Sequence, residues 1–261
     1  MIAWQCKFYF VRLIKLTNAH GNLNSNHKVL IHYGKSGPLK YLSHLELIRA
    51  LERSFRRAGV EIKMSGGFHP RPKVSYGPAL SVAVASSAEY LLAELVHPIP
   101  EDQLLTKITS ALPKGLSIYG AKYIRDKKPS IASAVKSAAY RVKVEFDADS
   151  VDIVSLIDQI RGQERLLVRH KGKEKWVETN VALLDWTIVR ESDNEHEFHI
   201  LVSVGDSNST RPELLVGKLS EVSPGLKGFK ITEVNRVEQY VNRGNPLIDI
   251  YNFYERIFMK V

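Results

Sequence analysis

Val29-Leu30-Ile31-His32-Tyr33, followed by Gly34, Gly37-Pro38 and then Ser43-His44-Leu45-Glu46, opens the regular part of the chain and decides its fold. The apolar run reads as a strand, closed by the glycines and proline. Serine with glutamate three residues on is a capping box, which satisfies the free N–H groups of a helix start. A helix is therefore expected from His44 to Ala58, with Gly59 as its C-terminal stop. Further along, Val60-Glu61-Ile62-Lys63-Met64 alternates like a strand. Ser65 to Lys73 is a Gly/Pro-rich loop, Val74 to Val84 reads as extended, and Tyr90 to Val96 as a strand. A helix from Glu101 to Leu112 is stopped by Pro113 and Gly115, and Leu116 to Ile124 is again a strand. The order β-α-β-β-α-β is that of the split βαβ, or ferredoxin-like, arrangement.

The second part of the chain repeats this order. Strands are expected at Ala139 to Phe146, Arg165 to His170, Val181 to Val189, His196 to Val204 and Phe229 to Val234. Helices are expected at Val151 to Arg161, where Val151, Val154, Ile157 and Ile160 follow helical spacing, and at Arg211 to Val222. The fold class is thus α+β, with two tandem ferredoxin-like halves over residues 27–125 and 139–241 and a linker over 126–138. Residues 1–26 do not fit this pattern. Lys7 and Arg12 interrupt their apolar run and no small-residue cleavage site follows, so a poorly ordered extension is expected rather than a signal peptide. Residues 242–261 carry Tyr251, Phe253, Tyr254 and Phe258 and read as a docking tail.

Of the 261 residues 44% are hydrophobic and 25% charged, the values of an ordinary globular chain. No apolar run approaches the roughly 20 residues of a membrane span. The one cysteine, Cys6, excludes an internal disulfide and a cysteine-held zinc or iron–sulfur site within this chain. A reducing, cytoplasmic location is expected. The nine histidines show no H-x-x-x-H spacing and the P-loop pattern is absent, so no metal or cofactor is expected.

The formal charge is +9, which points to a polyanionic partner. It is concentrated: from Lys28 to Lys73 ten basic residues face three acids. At 100° per residue, Leu47, Ile48, Leu51, Phe55 and Ala58 share one face of the first helix, and Arg49, Arg53, Arg56 and Arg57 share the opposite one. The apolar stripe belongs on the sheet, which leaves the arginines to solvent or a phosphate backbone. In the loop Ser65-Gly66-Gly67-Phe68-His69-Pro70-Arg71-Pro72-Lys73, Phe68 offers a stacking face, His69 a donor or acceptor, and Arg71 and Lys73 phosphate contacts. Basic and aromatic groups interleaved on a stiffened loop suit single-stranded RNA. If the chain cleaves RNA without metal, His44 and His69 are the candidate acid and base.

Tyr41-Leu42-Ser43-His44-Leu45-Glu46-Leu47, Arg49, Arg53-Ser54-Phe55-Arg56-Arg57-Ala58-Gly59 and Ser65-Gly66-Gly67-Phe68-His69-Pro70-Arg71-Pro72-Lys73-Val74-Ser75 together resemble the radical-SAM-linked family of unknown function. Its pattern is roughly F-L-S-H-L-D-L, R-A-L-R-R-A-G and S-x-G-F-N/H-P-x-P. Gly205 and Arg211-Pro212-Glu213-Leu214-Leu215 resemble a second, looser motif. Glu46 replaces the usual aspartate, and Ala83-Val84 stands where a glycine is common. The resemblance implies a cobalamin-binding radical SAM protein as partner and an accessory role. It carries no established catalytic residues. The chain lacks C-x-x-x-C-x-x-C and cannot hold the radical SAM cluster itself.

The expected function is that of a non-catalytic, substrate-presenting module for a radical SAM enzyme, binding RNA through Arg49, Arg53, Arg56, Arg57, Phe68, His69, Arg71 and Lys73. The alternatives are a metal-independent endoribonuclease of ferredoxin-like type and a protein-docking subunit without RNA binding. The cleft between the halves is the default ligand site.

Overall fold

The computed structural model describes residues 27–255 apart from 125–128, 148–151, 171, 192–194, 224, 225 and 227. The first half contains β1 (Lys28–Lys35), α1 (His44–Arg57), β2 (Val74–Tyr76), β3 (Ala85–Glu94), α2 (Glu101–Ala111) and β4 (Leu116–Ile124). β4 and β3 flank β1, both antiparallel to it, and β2 pairs with the outer edge of β3. This is the 4-1-3-2 order of a split βαβ unit. Val29, Leu30 and Ile31 are all fully buried, because both faces of β1 are covered. On one face Val29 and Ile31 join Leu47, Leu51 and Phe55 of α1 and Leu104 and Ile108 of α2. On the other, Leu30, Ala88 and Tyr90 join Ile131, Ile250 and Tyr254. A strand buried on both sides has no use for alternation, which is why its sequence is a continuous apolar run.

The second half contains α3 (Ile131–Ala134), β5 (Ser137–Asp147), α4 (Ile153–Gly162), β6 (Arg165–His170), β7 (Lys173–Glu178), α5 (Thr179–Ala182), β8 (Leu183–Glu191), β9 (Glu195–Ser203), α6 (Pro212–Val222), β10 (Gly228–Tyr240) and α7 (Ile250–Glu255). Its main strands lie in the order β10-β5-β9-β8, again 4-1-3-2, with the β6–β7 hairpin inserted after α4. β10 runs parallel to β3 through Asn235–Ala85 and Arg236–Ser86. This short seam joins the halves into one eight-stranded sheet.

At the seam Arg236 of β10 makes a bidentate ion pair with Glu89 of β3, at 2.8 and 2.5 Å, and donates to the Pro78 carbonyl at 3.0 Å. Both side chains are buried. The Gln239 amide donates to the Ala88 carbonyl. Leu80 and Val84, from the first half, belong to the hydrophobic core of the second.

Several expectations are corrected. Val60 to Met64 is not a strand; it makes isolated bridges at Ile62–Leu95 and Met64–Pro72. The extended stretch from Val74 stops at Tyr76, because Gly77-Pro78 turns the chain and Pro lacks a ladder donor. Within the stretch expected as linker, the short helix Ile131–Ala134 forms, Ile131, Ala134 and Val135 are buried, and β5 starts at Ser137. A helical turn, Thr179–Ala182, precedes β8 where strand was expected, and β7 was not anticipated. The last strand runs to Tyr240 rather than Val234. Residues 1–26, with Cys6, and residues 256–261, with Phe258, lie outside the described residues.

Candidate nucleic-acid interface

α1 begins as its sequence demands. The Ser43 N–H donates to Glu46 Oε2 at 2.8 Å and the Glu46 N–H to Ser43 Oγ at 3.4 Å, which closes the capping box. Leu47, Ala50, Leu51, Ser54 and Phe55 are buried. Arg49, Arg53, Arg56 and Arg57 are exposed along the opposite side. No hydrogen bond or ion pair among the described residues holds Arg49, Arg53 or Arg56. Arg57 differs: its guanidinium donates to the Ala111 carbonyl at the end of α2, at 2.6 Å, and to Ser54 Oγ at 3.3 Å. It braces one helix on the other.

The loop after α1 folds into a hairpin arm. Lys73 N–H donates to the Lys63 carbonyl and Ser65 N–H to the Arg71 carbonyl, both at 2.8 Å. Arg71 N–H donates to Ser65 Oγ at 3.0 Å. Residues 66–70 form the tip, with Gly67 at φ 102°, a conformation open to glycine and strained for other residues. The arm is anchored by Glu94, which pairs with Lys63 at 3.2 Å and Lys73 at 3.5 Å. Burial pushes the Glu94 carboxyl up, but the Lys63 hydrogen bond and the charges of Lys73, Lys63 and Lys28 outweigh it and hold it below the usual carboxylate range. Lys73 is thus paired with Glu94 of β3 at the base of the arm. Phe68 at the tip is fully exposed, at 102%. His69 and Arg71 are exposed beside it. Between α1 and the base of the arm lies a groove of about 790 Å³, lined by Arg49, Arg53, Arg56, Met64 and Pro72 among others.

The structure therefore brings Arg49, Arg53 and Arg56 onto one groove beside the arm that carries Phe68, His69 and Arg71. It does not bring His44 and His69 into contact. His44 packs perpendicular to Tyr76, ring centroids 6.1 Å apart. Burial lowers its pKa from the ordinary histidine value; Glu89 raises it and Arg236 and Lys35 lower it. His69 has no hydrogen bond, ion pair or ring contact among the described residues. Lys35, counted above with the basic surface, is in fact buried; its ammonium donates to the carbonyls of Lys40 at 3.2 Å and Leu42 at 3.3 Å. Nothing in the sequence distinguished it from the exposed lysines.

A family model matches residues 28–212, most of both halves. The chain belongs to the DUF2344 family. That family is described as an uncharacterized protein conserved in bacteria. Comparison with curated proteins finds no match. Among solved structures the chain is similar to one in the crystal structure of a Cbf5-Nop10-Gar1 complex, at 10% identity and a TM-score of 0.48, covering 88% of this chain and 54% of that one. It is also similar to one in an H/ACA RNP bound to a substrate RNA containing 2'-deoxyuridine, at 10% identity and a TM-score of 0.46, covering 88% and 53%. The DUF2344 chain spans about half the length of both. Among the described residues no helix is long and apolar enough to cross a membrane.

Proposed function

We propose that this chain binds single-stranded RNA along the groove between α1 and the hairpin arm, as an accessory module that presents RNA to a cobalamin-binding radical SAM enzyme. The observation that carries the RNA reading is the unpaired arginine row, Arg49, Arg53 and Arg56, beside an arm whose tip holds Phe68 wholly in solvent. A folded chain keeps a large aromatic ring in water at little benefit to its own stability, since burial is the favourable direction for apolar surface. Stacking on a base removes that ring from water, and arginines set along one helix meet successive phosphates. The partner rests on the motif resemblance, Tyr41 to Leu47, Arg49, Arg53 to Gly59 and Ser65 to Ser75.

The test is a salt titration of binding to a labelled single-stranded RNA. For a single strand each neutralised phosphate adds about 0.7 to the slope of log affinity against log salt. The triple change Arg49→Ala, Arg53→Ala and Arg56→Ala is expected to reduce that slope by roughly 2. Unchanged affinity and slope overturn the reading. Co-purification from the native host is expected to recover a cobalamin-binding radical SAM protein, and its absence removes the partner.

A further inference from the structure

At the seam between the halves lies a second groove, of about 500 Å³. It is large enough for a small organic ligand, and α1, which carries the arginine row, starts beside it. Its lining includes Tyr41 and Tyr119, exposed at 60% and 53%. Lys40 lies over the Tyr41 ring, 5.2 Å from its centroid. The Tyr119 hydroxyl is placed over Gly34, where a Cβ would stand 2.6 Å from it. The bare backbone of Gly34 thus lets the Tyr119 ring lie close over β1.

Two polar groups in this lining have unused capacity. Asn235 Oδ1 is buried with no hydrogen-bond partner among the described residues, and a buried acceptor left unpaired is costly. Lys35 donates two hydrogen bonds, while an ammonium carries three donors. Burial lowers its pKa from the ordinary lysine value; Glu89 raises it and Arg236 lowers it. An anion placed beside it offsets that burial. The single carboxylate in the lining, Glu233, is paired with Arg141 at 3.2 Å and Lys143 at 3.8 Å.

We propose that this seam groove takes one unstacked nucleotide, its base against the rings of Tyr41 and Tyr119, its phosphate against Lys35 and Lys40, and a base N–H on Asn235 Oδ1. The classes of contact match: aromatic faces for a base, ammonium groups for a phosphate, an acceptor for a base edge. Lys40 and Tyr41 of the lining lie just before the helix that carries the arginine row. Arg49 is five residues into α1 from His44, about 8 Å along the axis at helical rise. The proposal rests on the RNA reading for the source of the nucleotide. A free nucleoside monophosphate offers the same chemistry.

The test uses the full chain, a short single-stranded RNA of mixed sequence, and AMP and UMP as separate probes. The variant is Tyr41→Ala with Tyr119→Ala. Both side chains are more than half exposed, and Tyr119 gives up only its contacts over Gly34 and with the His32 ring, centroids 5.0 Å apart, so the melting temperature is expected to fall only slightly, and circular dichroism checks that the fold is kept. RNA affinity is expected to fall roughly tenfold, the worth of one lost stacked base, while the salt slope stays at the parent value. Mononucleotide binding is expected to disappear. If the double variant binds RNA and mononucleotides as the parent does, the groove is not a nucleotide site, and RNA binding by the arginine row stands without it. If the parent binds AMP or UMP but no RNA, and the variant loses it, the groove holds a free nucleotide and the RNA reading fails alone. If the parent binds none of the probes, both are overturned.

Discussion

Ala83 stands in the left-handed region, at φ 70°, with its N–H donating to the Lys40 carbonyl at 3.0 Å. That conformation costs an L-residue about 1–2 kcal/mol. It explains why the pattern this chain resembles has glycine near this point: the turn between Gly77 and β3 is built for a residue without a Cβ. Glycine gives back part of the gain, about 0.5–1 kcal/mol, through the freedom it adds to the unfolded chain. Ala83→Gly is therefore expected to stabilise the protein by about 0.5–1 kcal/mol, raising the melting temperature by roughly 1–4 °C. Ala83→Val, with a β-branched side chain at positive φ, is expected to lower it. Equal melting temperatures for the three proteins would show that the turn relaxes. At this scale the sequence showed that Ala83-Val84 departs from the pattern, and only the backbone showed that Ala83 is the residue at positive φ. Lys35 is the opposite case. Nothing near it in sequence announces burial, because its acceptors, the carbonyls of Lys40 and Leu42, are presented by a turn that exists only once the chain has folded.

Elements were legible where one physical signal dominated. The capping box, the apolar stripe and Gly59 fixed α1 at both ends, and the same 100° arithmetic separated the arginine row from the core. Elements were missed where the signal was masked. In β7, Lys173–Glu178, five of the six residues are exposed, so no alternation could be read. β10 extends through Glu233, Asn235, Arg236, Glu238 and Gln239, polar residues that are poor strand formers in isolation. Arg236 and Gln239 are buried there because their partners come from β3. The hairpin arm lies between these cases, since its composition set it apart but its pairing was not legible. Phe68 is fully exposed and Arg71 has no side-chain partner among the described residues. Phe68→Ala with Arg71→Ala is therefore expected to leave thermal stability within about 1 kcal/mol. RNA affinity is expected to fall by more, since one stacked base contributes roughly 1–3 kcal/mol. A variant that melts well below the parent while its folded fraction binds normally would make the arm a folding element.

Across the whole molecule, two copies of one strand order share a sheet through only two parallel residue pairs, Asn235–Ala85 and Arg236–Ser86. Backbone pairing that short is a weak tie, so side chains must carry the coupling. The Arg236–Glu89 pair spans 147 residues of sequence and lies out of water; no local pattern could have revealed it. Leu80 and Val84 extend from the first half into the core of the second. With these ties intact, calorimetry of the full chain is expected to show one cooperative transition. Arg236→Met leaves the Glu89 carboxylate buried without its partner, a loss expected to cost about 3–5 kcal/mol. That loss falls on the seam, while the cores beneath α1 and beneath α4 and α6 keep their own packing. The Arg236→Met melt is thus expected to broaden into two transitions. Leu80→Ala makes a separable comparison. It opens a cavity in the second half's core at about 2–5 kcal/mol but leaves the ion pair in place, and its melt is expected to shift downward as a single transition. A parent that already melts in two steps would show that the halves are independent domains held side by side, with the buried ion pair as a local feature of their contact.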